Sequence, residues 1–193
     1  AGSYMVAATI TGGNVLIKNV IPKHLEPITS KLEKAGATIE EFDDSLRVYR
    51  TGDLEPLNIK TMPHPGFPTD MQPLMTVLLT LAKGTSIITE GIWENRFRYV
   101  DELTRMGANI QVDGRVAVIE GVQELLPAPM RAADLRAGAA LVVAALAADG
   151  VSEVDEICHI ERGYEDIVEK LRGLGADIKR VEKPAGVLRQ AAL

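Results

Sequence analysis

Asp70 stands where a run of prolines gives way to an apolar stretch, in Pro65-Gly66-Phe67-Pro68-Thr69-Asp70-Met71-Gln72. A carboxylate at such a junction fits two kinds of chemistry: it can cap a helix, or it can act as a general base toward a hydroxyl. Pro63, Pro65 and Pro68 keep the approach extended, and Thr69 or Asp70 is placed to cap a helix with apolar face Met71, Leu74, Met75, Leu78 and Leu79. Capping alone explains an aspartate there, because N-caps are far commoner than catalytic bases.

The second chemical feature is a set of cations at recurring places. Lys23 lies in Pro22-Lys23-His24, Arg96 in Glu94-Asn95-Arg96-Phe97-Arg98 and Arg162 in Glu161-Arg162-Gly163-Tyr164, each where a helix is expected to open, and Asp134-Leu135-Arg136 opens another. A cation at a helix N-terminus opposes the helix dipole, so three of them point to an anionic ligand rather than to helix stability. Arginine offers carboxylate or phosphate a forked grip, whereas Lys23 acts as a point charge. The competing explanation pairs Arg96 and Arg162 with Glu94, Glu161 or Glu165 on a solvated surface, where ion pairs contribute little.

The elements that position these residues recur. Leu32-Glu33-Lys34-Ala35-Gly36-Ala37-Thr38-Ile39, Leu103-Thr104-Arg105-Met106-Gly107-Ala108-Asn109-Ile110 and Leu171-Arg172-Gly173-Leu174-Gly175-Ala176-Asp177-Ile178 follow one pattern, about 70 residues apart. In each, a glycine suits the position that stops a helix and the following isoleucine starts a strand. Earlier helices stop at Gly12-Gly13, Gly84 and Gly150, and Asp43-Asp44 and Asp113-Gly114 mark turns between paired strands. The fold class is therefore α/β, built of three βαβαββ repeats at about 1–61, 62–123 and 124–193. The third is incomplete, ending in Val187 to Leu193 as at best a short helix or tail, and unpaired edges at both ends suggest a piece of something longer. Both helices of a unit run the same way, which gathers positive helix ends into one anion-attracting face.

Composition narrows the function. The 193 residues are 46% hydrophobic and 25% charged, enough for a real core. The apolar run from Ala137 to Ala148 is shorter than the ~20 residues a bilayer needs. A net charge of −6 and the lack of a basic stripe argue against nucleic acid as a partner. The start has no signal-peptide pattern and Cys158 is the single cysteine, which points to the cytoplasm. His24, His64 and His159 have no metal-ligand spacing, Cys158-His159 lacks partners for zinc, and no metal is expected. Cys158 reads as a buried thiol and Trp93 and Phe97 as core or pocket wall. No dinucleotide or P-loop pattern is present.

Four motifs in this order, Pro68-Thr69-Asp70-Met71-Gln72, Glu94-Asn95-Arg96-Phe97, Ala133-Asp134-Leu135-Arg136-Ala137 and His159-Ile160-Glu161-Arg162-Gly163-Tyr164, make the chain similar to the C-terminal part of the UDP-N-acetylglucosamine 1-carboxyvinyltransferase family of enolpyruvyl transferases. The resemblance covers nearly the whole chain. It implies an inside-out α/β barrel domain, with the active site in a cleft against a second domain. The implied reaction moves the enolpyruvyl group of phosphoenolpyruvate to the 3′-hydroxyl of UDP-N-acetylglucosamine and releases phosphate, in peptidoglycan synthesis, without metal or organic cofactor. Carried over, Asp70 is the catalytic base that contacts the sugar hydroxyl, Ile92 contacts the sugar nucleotide through its backbone and Trp93 is the adjoining wall. Arg96, Arg136 and Arg162 surround phosphoenolpyruvate, and Asp134 is an acid that supports catalysis.

Two residues depart from the family pattern: Trp93 stands where phenylalanine is usual and Glu161 where aspartate is. The family's loop cysteine, the fosfomycin target, belongs to the other domain, and Cys158 is not its counterpart. The N-terminal strand of the full enzyme is also missing. The resemblance thus implies that this chain alone does not turn over and that the other domain is its partner. Two alternatives stand beside this reading: the sister enzyme 3-phosphoshikimate 1-carboxyvinyltransferase, and a non-catalytic anion-binding module.

Overall fold

A computed structural model describes residues 1–182, so the stretch from Val187 to Leu193 lies outside the described residues. The first elements are α1 (Gly2–Thr11), β1 (Asn14–Lys18), α2 (Glu26–Lys34), β2 (Thr38–Glu41) and β3 (Ser45–Tyr49). The same order follows behind a leading strand in β4 (Asn58–Lys60), α3 (Gln72–Leu79), β5 (Thr85–Thr89), α4 (Val100–Arg105), β6 (Asn109–Asp113) and β7 (Val116–Glu120). It begins again in β8 (Pro129–Arg131), α5 (Leu135–Ala147), β9 (Glu153–Asp155), α6 (Cys158–Glu161) and α7 (Ile167–Gly173). The protein is an α/β domain. No helix among the described residues is long and apolar enough to cross a membrane.

Three sheets result, ordered β1-β3-β2, β4-β5-β7-β6 and β8-β9. β3 is antiparallel to both neighbours, with Val48 opposite Val15 on one side and Ile39 on the other. β4 and β5 run parallel, as do β8 and β9. Parallel strands need a crossover between them, and α3 and α5 supply it.

Those crossover helices form the core with α1. Every residue of α3 is buried, as are Ala137 to Ala144 of α5 and Met5 to Ile10 of α1, and the three helices pack against one another. A helix apolar on all sides has to sit at the centre. The sheets turn alternate residues toward it: Leu46 and Val48 from β3, Ser86 and Ile88 from β5, Ala117 and Ile119 from β7. Gly138 lets α6 approach α5, since a Cβ there would lie 2.6 Å from Ile160 Cγ1.

The helix stops fall where the sequence pattern places them. Gly36, Gly107 and Gly175 take φ of 103°, 86° and 99°. The next residue each time donates its N–H back across the turn: Ala37 to Leu32 O, Ala108 to Leu103 O and Ala176 to Leu171 O. The starts differ. α2 begins only after a 3₁₀ turn at Pro22–Leu25, α4 begins at Val100, and α6 intervenes before α7. Asn95 and Asp166, with φ of 54° and 46°, interrupt the helical path. Lys23, Arg96 and Arg162 consequently sit in the segments ahead of these helices, not in their first turns.

Candidate active site

The loop from β4 to α3 ends in a 3₁₀ turn at Thr69–Met71, and neither Thr69 nor Asp70 caps α3. The capping expectation is therefore corrected. Met71 N donates to Pro68 O at 3.0 Å, and Pro73 in the first turn of α3 has no N–H to satisfy. Thr69 Oγ1 instead donates to Glu90 Oε2 at 3.0 Å. The Asp70 side chain, 54% exposed, lies between two arginines: Arg136 Nη2 donates to Oδ2 at 3.0 Å and Arg96 Nη2 is 3.6 Å from Oδ1.

Each arginine is aimed by its own surroundings. Arg96 follows the left-handed Asn95 and precedes the buried Phe97 and Tyr99. The Tyr99 hydroxyl lies 2.7 Å from Gln72 Oε1 and 2.8 Å from Thr76 Oγ1, which pins the Arg96 segment onto α3. Burial pushes the Tyr99 phenol far above its ordinary range. Glu94, the expected surface partner of Arg96, pairs with Arg115 at 3.0 Å.

Arg136 lies in the first turn of α5. Its Nη1 donates to the Tyr164 hydroxyl at 3.2 Å, and its Cζ is 5.6 Å from that ring's centroid. The Tyr164 hydroxyl also shares a hydrogen bond of 2.8 Å with Ser3 Oγ on α1. Burial by itself lowers the Arg136 pKa, but the contacts with Tyr164 and the charge of Asp70 outweigh it and raise it. A line of polar contacts from Ser3 through Tyr164, Arg136 and Asp70 to Arg96 thus joins the N-terminal ends of α1, α3 and α5. Those ends carry partial positive charge, so the face suits anions.

The other expected residues are placed as follows. Asp134 is the N-cap of α5, accepting from Ala137 N at 2.8 Å. Arg162 is exposed at the end of the short α6 and forms no ion pair among the described residues. Its proposed surface partners are taken, Glu161 by Arg180 at 2.7 Å and Glu165 by Lys170 at 3.1 Å. Tyr164, two residues on, links the Arg162 segment to Arg136. Lys23 is exposed in its turn and forms no ion pair among the described residues. Ile92 is half-buried, while Trp93 is 58% exposed and so is not part of the core; Phe97 is buried. A depression of about 440 Å³ lined by Ile10, Arg50, Leu81 and Val122 lies at the other end of α1 and α3 from Asp70 and shares no residue with the cluster.

Two contributors escaped the sequence reading. Tyr164 sits inside a recognised motif but carries no charge to mark it. Glu90 ends the β-rich run Ser86-Ile87-Ile88-Thr89, and a carboxylate in that position was the available signal.

Cys158 is exposed, contrary to the buried thiol expected, because it opens the surface helix α6. The Cys158-His159 pair also has a third possible donor, since one ligand atom each of Glu156, Cys158 and His159 lie within 4.8 Å of one another. Glu156 is engaged by Arg131 at 3.2 Å, and Cys158 Sγ is 3.7 Å from the Glu156 carbonyl.

The fold is that of one class of protein, the carboxyvinyltransferases. A family model described as EPSP synthase (3-phosphoshikimate 1-carboxyvinyltransferase) matches residues 1–171. The enolpyruvyl transferase NikO from Streptomyces tendae superposes with a TM-score of 0.83 at 30% identity, over 92% of this chain and 43% of that one. EPSP synthase from Acinetobacter baumannii, 20% identical with a TM-score of 0.61 over 85% of this chain and 42% of that one, shares the fold. UDP-N-acetylglucosamine 1-carboxyvinyltransferase 3 of Caldanaerobacter subterraneus is 57% identical over 95% of this chain, and the enzyme of that name from Desulfofundulus thermocisternus is 56% identical over 93%. The chain belongs to the UDP-N-acetylglucosamine 1-carboxyvinyltransferase family. It spans 44% of the Caldanaerobacter protein and 74% of the Desulfofundulus one.

Proposed function

We propose that this chain is the C-terminal domain of a cytoplasmic UDP-N-acetylglucosamine 1-carboxyvinyltransferase, arranged as three repeats in an inside-out barrel, and that it needs a second domain to turn over. The observation that carries the reading is the Asp70 carboxylate held between Arg96 and Arg136 where the central helices begin. A reaction between a hydroxyl and an anionic enol phosphate needs both parts: a base for the departing proton and fixed positive charge for carboxylate and phosphate.

In this reading Asp70 takes the proton of the sugar 3′-hydroxyl. The hydroxyl oxygen then bonds to the enol carbon that carries phosphate, and the bond from that carbon to the phosphate oxygen breaks. Arg96, Arg136 and the exposed Arg162 hold phosphoenolpyruvate, and the proximity of Arg136 to the base sets the two reactants side by side. Asp134 orders the first turn of α5 from which Arg136 projects. The Ile92 backbone and the Trp93 ring receive the sugar nucleotide.

Heteronuclear NMR of this chain titrated with UDP-N-acetylglucosamine tests the binding half. Saturable shifts around Asp70, Ile92 and Arg162, absent with shikimate 3-phosphate, are expected. The opposite preference would favour the shikimate enzyme. Phosphate release by the full-length protein from phosphoenolpyruvate and the sugar nucleotide tests the chemistry, and its failure under conditions where the protein is folded would overturn the reading in favour of a non-catalytic module.

A further inference from the structure

Glu90 is 1% exposed and forms no ion pair among the described residues. A buried carboxylate is costly unless hydrogen-bond donors surround it. Its donors come from three short segments. Thr61 Oγ1 at 2.6 Å, Ile92 N at 2.9 Å and Trp93 N at 3.2 Å donate to Oε1, and Thr69 Oγ1 at 3.0 Å donates to Oε2. Thr61 closes the arrangement by accepting from Gly91 N at 2.8 Å. Gly91 permits that approach, because a Cβ there would lie 2.3 Å from the Thr61 carbonyl oxygen.

We propose that Glu90 is a positioning residue that locks the loop carrying Asp70 to the loop carrying Ile92 and Trp93. β4 and β5 are parallel neighbours, so both loops leave the same end of the sheet, where ligands of open α/β sheets commonly bind. Thr69 is adjacent to Asp70 and donates to Glu90 Oε2, while Oε1 accepts from the Ile92 and Trp93 N–H groups and from Thr61 at the end of β4, so the carboxylate bridges the two loops. An apolar residue of similar size would fill the space at lower cost but would orient neither loop. The proposal rests on the reading above, in which the two loops face one substrate.

The test uses the full-length transferase. Thr69→Val removes only the bond on the Asp70 side and Thr69→Ser restores it, while Glu90→Gln keeps the shape but turns one acceptor into a donor. Thr69→Val and Glu90→Gln are expected to lower kcat by about 10- to 100-fold, with Thr69→Ser near wild type and the melting temperature of Thr69→Val little changed. Amide exchange in Glu90→Gln is expected to quicken in both segments, 62–70 and 91–95. Wild-type kcat in Thr69→Val, or faster exchange confined to one segment, would overturn the proposal; should Glu90→Gln fail to fold, Thr69→Val decides. A wild-type protein that releases no phosphate removes the functional reading instead, and the exchange comparison then decides alone whether Glu90 couples the loops.

Discussion

The carboxylate of Asp70 and the guanidinium of Arg136 lie 3.0 Å apart although 66 positions separate them in the chain. The contact exists because α3 and α5, both crossover helices, pack side by side with their N-terminal ends level. A carboxylate ahead of one crossover helix thereby meets a guanidinium in the first turn of the next crossover helix. Arg96 completes the arrangement from the loop after β5.

Replacing Asp70 by asparagine is expected to separate two effects. Turnover of the full-length enzyme should fall by about 10²–10⁴-fold if the carboxylate is the base. The two arginines lose their counter-charge at the same time, so inorganic phosphate should bind more tightly than to the wild type. Calorimetric titration with phosphate and a phosphate-release assay check both. Turnover within a few-fold of wild type would remove Asp70 from the chemistry.

Tyr164→Phe keeps the ring under Arg136 but deletes the hydroxyl that accepts from it and bonds Ser3. A stability loss of about 0.5–1.5 kcal/mol is expected from urea unfolding of this chain. In the full-length protein KM for phosphoenolpyruvate should rise, since Arg136 keeps the ring and Asp70 but loses one of its two hydrogen bonds.

Asp134 can be divided by a pair of substitutions. Alanine removes the cap on α5 and should cost about 0.5–2 kcal/mol, whereas asparagine caps nearly as well and should leave stability close to wild type. If the charge of Asp134 serves catalysis as well, asparagine will still lower kcat. A fully active Asp134→Asn protein would confine the residue to capping.

Alkaline pH should expose the burial of Tyr99. Desolvation raises its pKa above the ordinary 10.0, so the folded protein keeps a proton that the unfolded chain gives up. The stabilisation is full below pH 10 and is lost as pH climbs beyond it. Tyr4, also raised chiefly by burial, adds in the same direction. Urea midpoints should therefore be flat on this account below about pH 9 and fall beyond about pH 10, less steeply in Tyr99→Phe. Equal slopes in the two proteins would contradict the assignment.

Much of the fold is legible in the amino-acid order because it depends on neighbours a few positions away. The apolar face of α3, the stops at Gly36, Gly107 and Gly175, and the β6–β7 turn at Gly114 follow from periodicity and from the φ values glycine alone adopts freely. Whereas Ile92 was marked only by the family resemblance, Asp70, Asp134, Arg96, Arg136 and Arg162 were likewise visible by type and spacing. Their partners were not. A carboxylate ahead of α3 can cap that helix or reach across to another, and only the packing of α5 against α3 turned Asp70 toward Arg136 and left capping to Asp134 on its own helix. Glu90 shows the same limit. Its four donors come from Thr61, Thr69 and the backbone after Gly91, which meet only where β4 and β5 lie parallel. The start of α4, the interposed α6 and the exposure of Cys158 were also set by tertiary geometry, since helix starts and surface position depend on what the chain folds against. Local preference thus determined which elements form and where they stop; the long-range packing of buried helices determined which charges meet.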